Sequence, residues 1–176
     1  VRLFGKRRGS GETIWELKEK MGIVTYRLHT EYRSLGDVPL RTVLVSGLHD
    51  SIGLYEQSGE TERARADEWL ALIGFEGRGD LPFRDLSYGE QRALLIARAA
   101  IKRPPLLILD EPCHGLDAAH RERILSLLQR IAELGGSTLL HVTHDETEVL
   151  PCEKRILELR PGNSPMFAIL ERQEQK

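Results

Sequence analysis

The chain has 176 residues, of which 40% are apolar, 30% charged and 6% aromatic, so disordered, collagen-like and coiled-coil rod proteins are excluded. The net charge is −2, which provides no electrostatic reason to expect nucleic acid as a partner. The longest stretch without a charge, 134–144, has 11 residues. A membrane-spanning helix needs about 20 apolar residues, so none is predicted.

The two cysteines, Cys113 and Cys152, have no metal-like spacing and are too few for a disulfide framework. A reducing cytoplasm is therefore the expected compartment. The basic residues within 1–8 precede no apolar segment, so no secretory signal is predicted. Because the chain does not begin with Met, we expect that an upstream part has been removed.

The chain predicts an α/β protein in which short strands alternate with helical patterns. Residues 106–109 are apolar throughout, which indicates a parallel strand covered on both faces. The last two strands flank Pro161, Gly162 and Asn163 and are expected to be antiparallel. The predicted strands are Val1–Phe4, Gly22–Tyr26, Leu106–Asp110, Ser137–Thr143, Lys154–Leu159 and Met166–Leu170.

Three helices are predicted from apolar periodicity and stop signals. They cover 61–75, 87–102 before two prolines, and a segment from Asp117 to just before Gly135. The region between Tyr26 and Leu106 offers no strand. We therefore predict a helical subdomain at 31–103, inserted into an α/β core formed by 1–30 and 104–176.

Two adjacent carboxylates, Asp110 and Glu111, follow the predicted strand at 106–110. Open α/β sheets bind ligands at this end of their strands. There an aspartate can hold hydrated Mg²⁺, and a glutamate can orient or deprotonate a water that attacks a phosphate. An acidic turn ended by Pro112 explains the same residues without a ligand, and both interpretations stay open from this motif alone.

A second motif is a capping box in which Ser87 begins a helix and Glu90 follows three residues later. Capping alone explains both residues. The free N–H groups and the positive end of the helix dipole would also suit an anion such as a phosphate.

Four motifs in order resemble those of ATP-binding cassette (ABC) ATPases, and the resemblance covers essentially the whole chain. They match the signature motif, the Walker B motif, the D-loop and the switch histidine. In this sequence they read LSYGEQ (86–91), LLILDEP (106–112), HGLD (114–117) and VTHD (142–145). Segments 7–15, 29–33 and 46–55 further resemble ModF-type proteins, which are cytoplasmic tandem ABC ATPases, and the chain resembles their C-terminal cassette.

The resemblance implies a role for each matched residue and implies ATP and Mg²⁺ as cofactors. It implies that Asp110 is associated with Mg²⁺, that Glu111 is the catalytic glutamate, and that His144 contacts the γ-phosphate and links it to Glu111. Asp117 would report across an interface to a second cassette, although it also serves as a helix N-cap. The signature residues Ser87, Tyr88, Gly89 and Glu90 would lie against ATP bound to that opposite cassette.

The sequence departs from the family in three places. A G-x-x-x-x-G-K-[ST] loop is missing, so we expect a fragment that begins after this loop and is inactive by itself. The run 5–11 lacks the Lys-Ser/Thr ending and is rejected as a substitute. Tyr26 and Arg27 stand where the family usually has Gln, and in the signature Tyr88 replaces a glycine and Glu90 a glutamine.

The resemblance implies a parent protein that hydrolyses ATP to power or regulate metal-oxyanion transport of the molybdate type. Its partners would be a second cassette and a membrane permease, with the protein cytoplasmic or peripheral to the inner membrane. The alternative is a soluble nucleotide-dependent switch without a permease. DNA-repair and chromosome ATPases insert a long coiled coil, for which the 60 residues between Tyr26 and Leu86 are too few.

Overall fold

The computed structural model describes residues 2–7, 11, 13–34, 36–52 and 58–172. The strands in these residues are β1 (Arg2–Leu3), β2 (Lys6–Arg7), β3 (Met21–Val24), β4 (Leu106–Asp110), β5 (Thr138–Val142), β6 (Arg155–Leu159) and β7 (Phe167–Glu171). The α-helices are α1 (Ile14–Glu19), α2 (Tyr26–Ser34), α3 (Leu40–Ser46), α4 (Glu60–Leu72), α5 (Tyr88–Ala100) and α6 (Ala118–Glu133). This order confirms the predicted α/β class.

Strands β3, β4 and β5 form a parallel sheet in that order. Ile23 pairs with Ile108, and Ile108 pairs with Leu140, so three apolar residues form a row across the sheet. Strands β6 and β7 form a separate antiparallel hairpin, as the turn residues predicted. Because the three sheet strands are parallel, the carboxyl ends of β4 and β5 lie at the same edge.

The sheet is buried on one face, which corrects the expectation for residues 106–109. Leu107 and Leu109 are fully buried in the core formed with α5 and α6, whereas Leu106 and Ile108 are only half-buried. The opposite face carries Ile23, Leu140 and Val142, which are 42%, 49% and 45% exposed. An apolar run predicts that both faces of a strand can be buried. Whether each face is buried depends on the helices and strands that pack against it.

The approach of α5 to the sheet is close because β3 has a glycine at its centre. A Cβ on Gly22 would overlap the backbone carbonyl oxygen of Ala99 in α5. At this position the absence of a side chain sets the distance between helix and strand.

Helices α2 to α5 lie between β3 and β4 in the chain, and no strand interrupts them in the described residues. Tyr26 begins α2 rather than ending the preceding strand, because β3 stops at Val24. Helix α4 ends at Leu72, three residues earlier than predicted. Gly74 adopts a φ of +81° after it, and the Phe75 amide donates to the Leu70 carbonyl, which is a Schellman-type helix end.

A buried arginine joins three of these helices. Arg98 of α5 donates to the Tyr32 hydroxyl of α2 at 2.7 Å, to the Ser46 hydroxyl of α3 at 3.1 Å and to the Ser51 carbonyl at 2.6 Å. Its guanidinium also lies over the Tyr32 ring. These hydrogen bonds satisfy a charge that is 7% exposed.

The amino-terminal part differs from its prediction. The strand expected at 1–4 is confined to β1, which pairs antiparallel with β2 through a turn in which Phe4 and Gly5 have positive φ. Parts of the segments 7–15 and 46–55, and of the rejected loop 5–11, lie outside the described residues. Helix α1 was not predicted, although Thr13 and Glu16 form a complete capping box at its start.

Across the described residues, no helix is long and apolar enough to cross a bilayer.

Candidate functional site

The first cluster of matched residues lies where β4 and β5 end. Asp110 is the last residue of β4 and is exposed, and its backbone pairs with Val142. Glu111 follows with a φ of +45°, a left-handed conformation that costs about 1–3 kcal/mol in a non-glycine residue. Its amide still donates to the Val142 carbonyl at 2.9 Å. The strand pairing therefore holds Glu111 in this strained position at the sheet edge.

The Glu111 carboxylate lies between two histidines. Oε1 of Glu111 is 3.0 Å from Nδ1 of His144, which follows β5. Oε2 is 3.3 Å from Nδ1 of His114, which the turn at 111–114 brings back toward the strand end. The structure thus brings together two residues that are 33 positions apart in the chain, and it adds a third that we did not single out from the sequence.

A network of hydrogen bonds braces the loop that carries His144. Thr143 donates to Glu148 at 2.7 Å and accepts from the Asp145 amide at 3.1 Å. Arg121 of α6 forms ion pairs with Asp145 and Glu148 at 3.3 and 3.5 Å. Hydrogen bonds from Thr147 hold the pKa of Asp145 below its usual value, with Arg121 contributing. Arg121 therefore links α6 to the position of His144, a role that no local pattern indicated.

The chemistry of this cluster suits a phosphate substrate. A carboxylate that contacts an imidazole can accept a proton from water, and the exposed Asp110 remains available to a cation. No group of three or more His, Cys, Asp or Glu in the described residues could hold a metal by itself. Mg²⁺ usually takes one or two protein carboxylates and completes its shell with water and phosphate oxygens.

Cys113 lies next to this cluster but is not a nucleophile. It is 1% exposed, and burial raises the pKa of its thiol to about 12, with Glu148 adding to the shift. The thiol therefore stays protonated at neutral pH, and Cys113 acts as a small apolar core residue.

The second cluster lies at the start of α5. Ser87 caps the helix by accepting from the Glu90 amide at 3.3 Å, and Glu90 accepts from the Ser87 amide at 2.8 Å. Arg78 also donates to Glu90 at 3.0 Å. Partial burial raises the pKa of Glu90, but the hydrogen bonds from Ser87 and Arg78 outweigh it and the net pKa is lowered. The capping box predicted from the sequence is present.

Tyr88 is engaged within the chain. Its ring stacks on the ring of His29 at a centroid distance of 4.6 Å, and its hydroxyl accepts from Arg92 at 3.0 Å. His29 is 2% exposed, and burial lowers the pKa of its imidazole, so it packs as a neutral ring. The contacts of Tyr88 favour packing over stacking on a nucleotide.

Gly89 and Asp117 are connected through a residue that we did not predict. Asp117 caps α6 by accepting from the His120 amide at 2.8 Å, and its other oxygen lies 2.8 Å from Nδ1 of His120. These hydrogen bonds lower the pKa of Asp117. The His120 ring packs on Gly89, where a Cβ would overlap it. Its only signal in the sequence is its position three residues after an N-cap aspartate.

The structure does not join the two clusters directly. Within the described residues, no hydrogen bond or ion pair connects Asp110, Glu111 or His144 with the residues at the start of α5. Arg27, at the place of the family's usual Gln, pairs along its own helix with Glu31 at 2.9 Å. Tyr26 begins α2.

Replacing Tyr88 with Ala is expected to lower the stability of the chain by about 2–4 kcal/mol, because the stacking on His29 is lost and Arg92 loses a hydrogen bond. Chemical denaturation measures this. Tyr88→Phe is the matched control, which keeps the ring and removes only the hydroxyl, and it should lose less. In the full-length protein, Tyr88→Ala should leave ATP-dependent closure of the cassettes unchanged once folded. Weakened crosslinking with normal stability would contradict the packing role.

Comparisons with known proteins indicate the family. A family model described as "AAA domain, putative AbiEii toxin, Type IV TA system" matches residues 36–150, more than half of the chain. The chain belongs to this AAA-domain family, and the relatives and solved structures that it resembles are ABC ATPase cassettes.

Individual relatives make the assignment more specific. The chain is 42% identical over 160 residues to the ABC transporter ATP-binding protein ModF of Escherichia coli (strain K12), covering 90% of this chain and 32% of that protein. This similarity confirms the predicted ModF-like character. The chain is also 34% identical to the uncharacterized ABC transporter ATP-binding protein YlmA of Bacillus subtilis (strain 168), covering 92% of this chain and 61% of that protein.

A solved structure supports the fold. The dimeric post-hydrolysis state of an ATP-binding cassette bound to ADP and phosphate is 29% identical, with a TM-score of 0.56 over 80% of this chain and 58% of that one. The chain thus spans between a third and three fifths of the length of these proteins.

Proposed function

We propose that this chain forms part of an ABC cassette whose full-length parent binds and hydrolyses ATP. The observation that carries the proposal is the contact of 3.0 Å between Glu111 and His144 at the ends of adjacent parallel strands. A carboxylate in this position can activate water, and an imidazole beside it can contact a phosphate and hold the carboxylate in place.

Each residue at the sheet edge would have a separate role in hydrolysis. Glu111 is the general base, His144 orients it and contacts the terminal phosphate, and Asp110 holds the hydrated metal. ATP would supply the transferred phosphoryl group and Mg²⁺ the charge that neutralises it. His114 lies on the second oxygen of Glu111 and restricts the rotation of the carboxylate.

The start of α5 would serve a nucleotide held by a second cassette. A composite site is supported by a similar solved cassette, which is a dimer. In this arrangement Ser87 and Gly89 lie against the opposite phosphate, Glu90 lies beside them, and Asp117 reaches the interface. Tyr88 supports the helix start from behind through His29.

We assign residues 1–30 and 104–176 to the α/β core and 31–103 to a helical subdomain. The similarity to ModF supports a parent that powers or regulates metal-oxyanion transport of the molybdate type with a membrane permease. Copurification of a permease, together with loss of molybdate uptake when the parent gene is deleted, tests this assignment. Normal uptake without a permease partner would favour a nucleotide-dependent switch.

We expect the 176-residue chain by itself to bind Mg-ATP at least about 10³-fold more weakly than the full-length parent, because the exposed Asp110 and the partly exposed Glu111 repel a triphosphate. The chain contains no G-x-x-x-x-G-K-[ST] loop whose amides and lysine would offset this repulsion. Isothermal titration calorimetry of both proteins measures the difference. Micromolar affinity of the chain by itself would contradict the prediction.

A further inference from the structure

His120 connects the two motifs that face the proposed interface. It lies in the first turn of α6, where its backbone amide donates to Oδ1 of Asp117 and its Nδ1 lies 2.8 Å from Oδ2. The same ring covers Gly89 in the first turn of α5. One side chain therefore contacts both the D-loop aspartate and the signature glycine.

We propose that His120 is a positioning residue that couples the orientation of the Asp117 carboxylate to the start of α5. The inference rests on the proposed function, because it assumes that Asp117 and the start of α5 meet a second cassette. It assigns His120 no contact with the reacting atoms.

The hydrogen bonds explain why Asp117 needs this residue. Oδ1 caps α6 by accepting from the His120 amide, the Ala119 amide also acts on the carboxylate, and the Asp117 side chain is 65% exposed. The second oxygen, Oδ2, contacts Nδ1 of His120, and this bond helps to fix the rotation of the carboxylate. The bond from Nδ1 sets its orientation, and a hydrogen bond to a charged group is among the stronger ones in proteins.

The contact with Gly89 extends this coupling to α5. Any side chain at residue 89 would displace the His120 ring, so the glycine provides the space that the ring occupies. His120 also lines an open cavity of about 830 Å³, together with Glu90, Arg78 and Arg123. The His120 side chain is 32% exposed and contacts both Asp117 and Gly89.

Two variants in the full-length parent separate the hydrogen bond from the ring. His120→Phe keeps a ring against Gly89 but removes the donor to Asp117, and we expect ATP-dependent crosslinking across the cassette interface to fall about tenfold. His120→Asn places an amide nitrogen near the position of Nδ1 but removes the ring from Gly89, and crosslinking should fall by a similar factor because the contact with α5 is lost. Melting temperatures show whether each variant is folded.

The results distinguish this inference from the function on which it rests. Normal crosslinking by either folded variant would overturn the coupling. If Glu111→Gln also leaves ATP turnover unchanged, the proposed catalytic role of this site fails. If Glu111→Gln abolishes turnover, only the role of His120 is refuted.

A double-mutant cycle in the full-length parent tests the ring contact independently of ATP. Gly89→Ala should lower the folding equilibrium constant about tenfold when His120 is present and much less in a His120→Ala background. Additive effects of the two substitutions would show that the ring does not occupy the space over Gly89 and would overturn the coupling.

Discussion

Replacing Glu111 with Gln in the full-length parent is expected to lower ATP turnover by about 10²- to 10⁴-fold, which is the usual loss when a general base is removed. Gln has nearly the same shape as Glu and can keep a hydrogen bond to His144, so the strand end and the nucleotide affinity should change little. What is lost is the negative charge and the ability to accept a proton from water. Steady-state phosphate release and Mg-ATP titration measure the two properties separately.

Glu146→Gln is the matched control for this experiment. Glu146 is exposed and lies two residues after His144, so the same change in charge is made close to the site without altering the Glu111 carboxylate. The ATP turnover of the Glu146→Gln variant should stay within about twofold of the wild type. Unchanged turnover in Glu111→Gln would mean that another cassette carries out the hydrolysis and that this site is regulatory.

Replacing Gly22 with Ala should lower the free energy of unfolding of the 176-residue chain by about 2–4 kcal/mol, among the larger effects of a single methyl group. The added Cβ would overlap the backbone oxygen of Ala99 and crowd a methyl group of Leu107. A backbone atom inside a helix cannot rotate away as a side chain can. Helix α5 must therefore move from β3, and it carries Ser87 and Gly89 at its start. Chemical denaturation measures the change.

Gly59→Ala provides the comparison for this substitution. Gly59 has an ordinary negative φ, and a Cβ there would meet no atom within 4 Å. Because Gly59 is the N-cap of α4, Gly59→Ala should lower the free energy of unfolding by less than about 1 kcal/mol. Equal losses at the two positions would show that the crowding between β3 and α5 does not determine the effect at Gly22.

Most of the elements that carry the site were predictable because their signals are local. The apolar run at 106–109 followed by two carboxylates predicts a strand with its acidic end exposed, and β4 has these bounds. Ser87 and Glu90 predict a capped helix, and Asp117 predicts another, because a side chain that caps a helix needs only its nearest backbone neighbours. Strand β3 ends at Val24 and helix α4 ends at Leu72, a few residues earlier than predicted. The ends of helices and strands are where local sequence preferences are weakest.

The contacts between elements required the fold. The amino-acid sequence alone determined the α/β class, the order of the motifs and the residues that match an ABC cassette, since these depend on residue type and spacing. Only the tertiary structure placed His144 on Glu111, added His114 to the same carboxylate, joined Asp117 to Gly89 through His120, and directed Tyr88 onto His29. It also left one face of the sheet partly exposed. These features depend on which helices and strands pack together, and the free energy of that packing is shared among residues far apart in the chain.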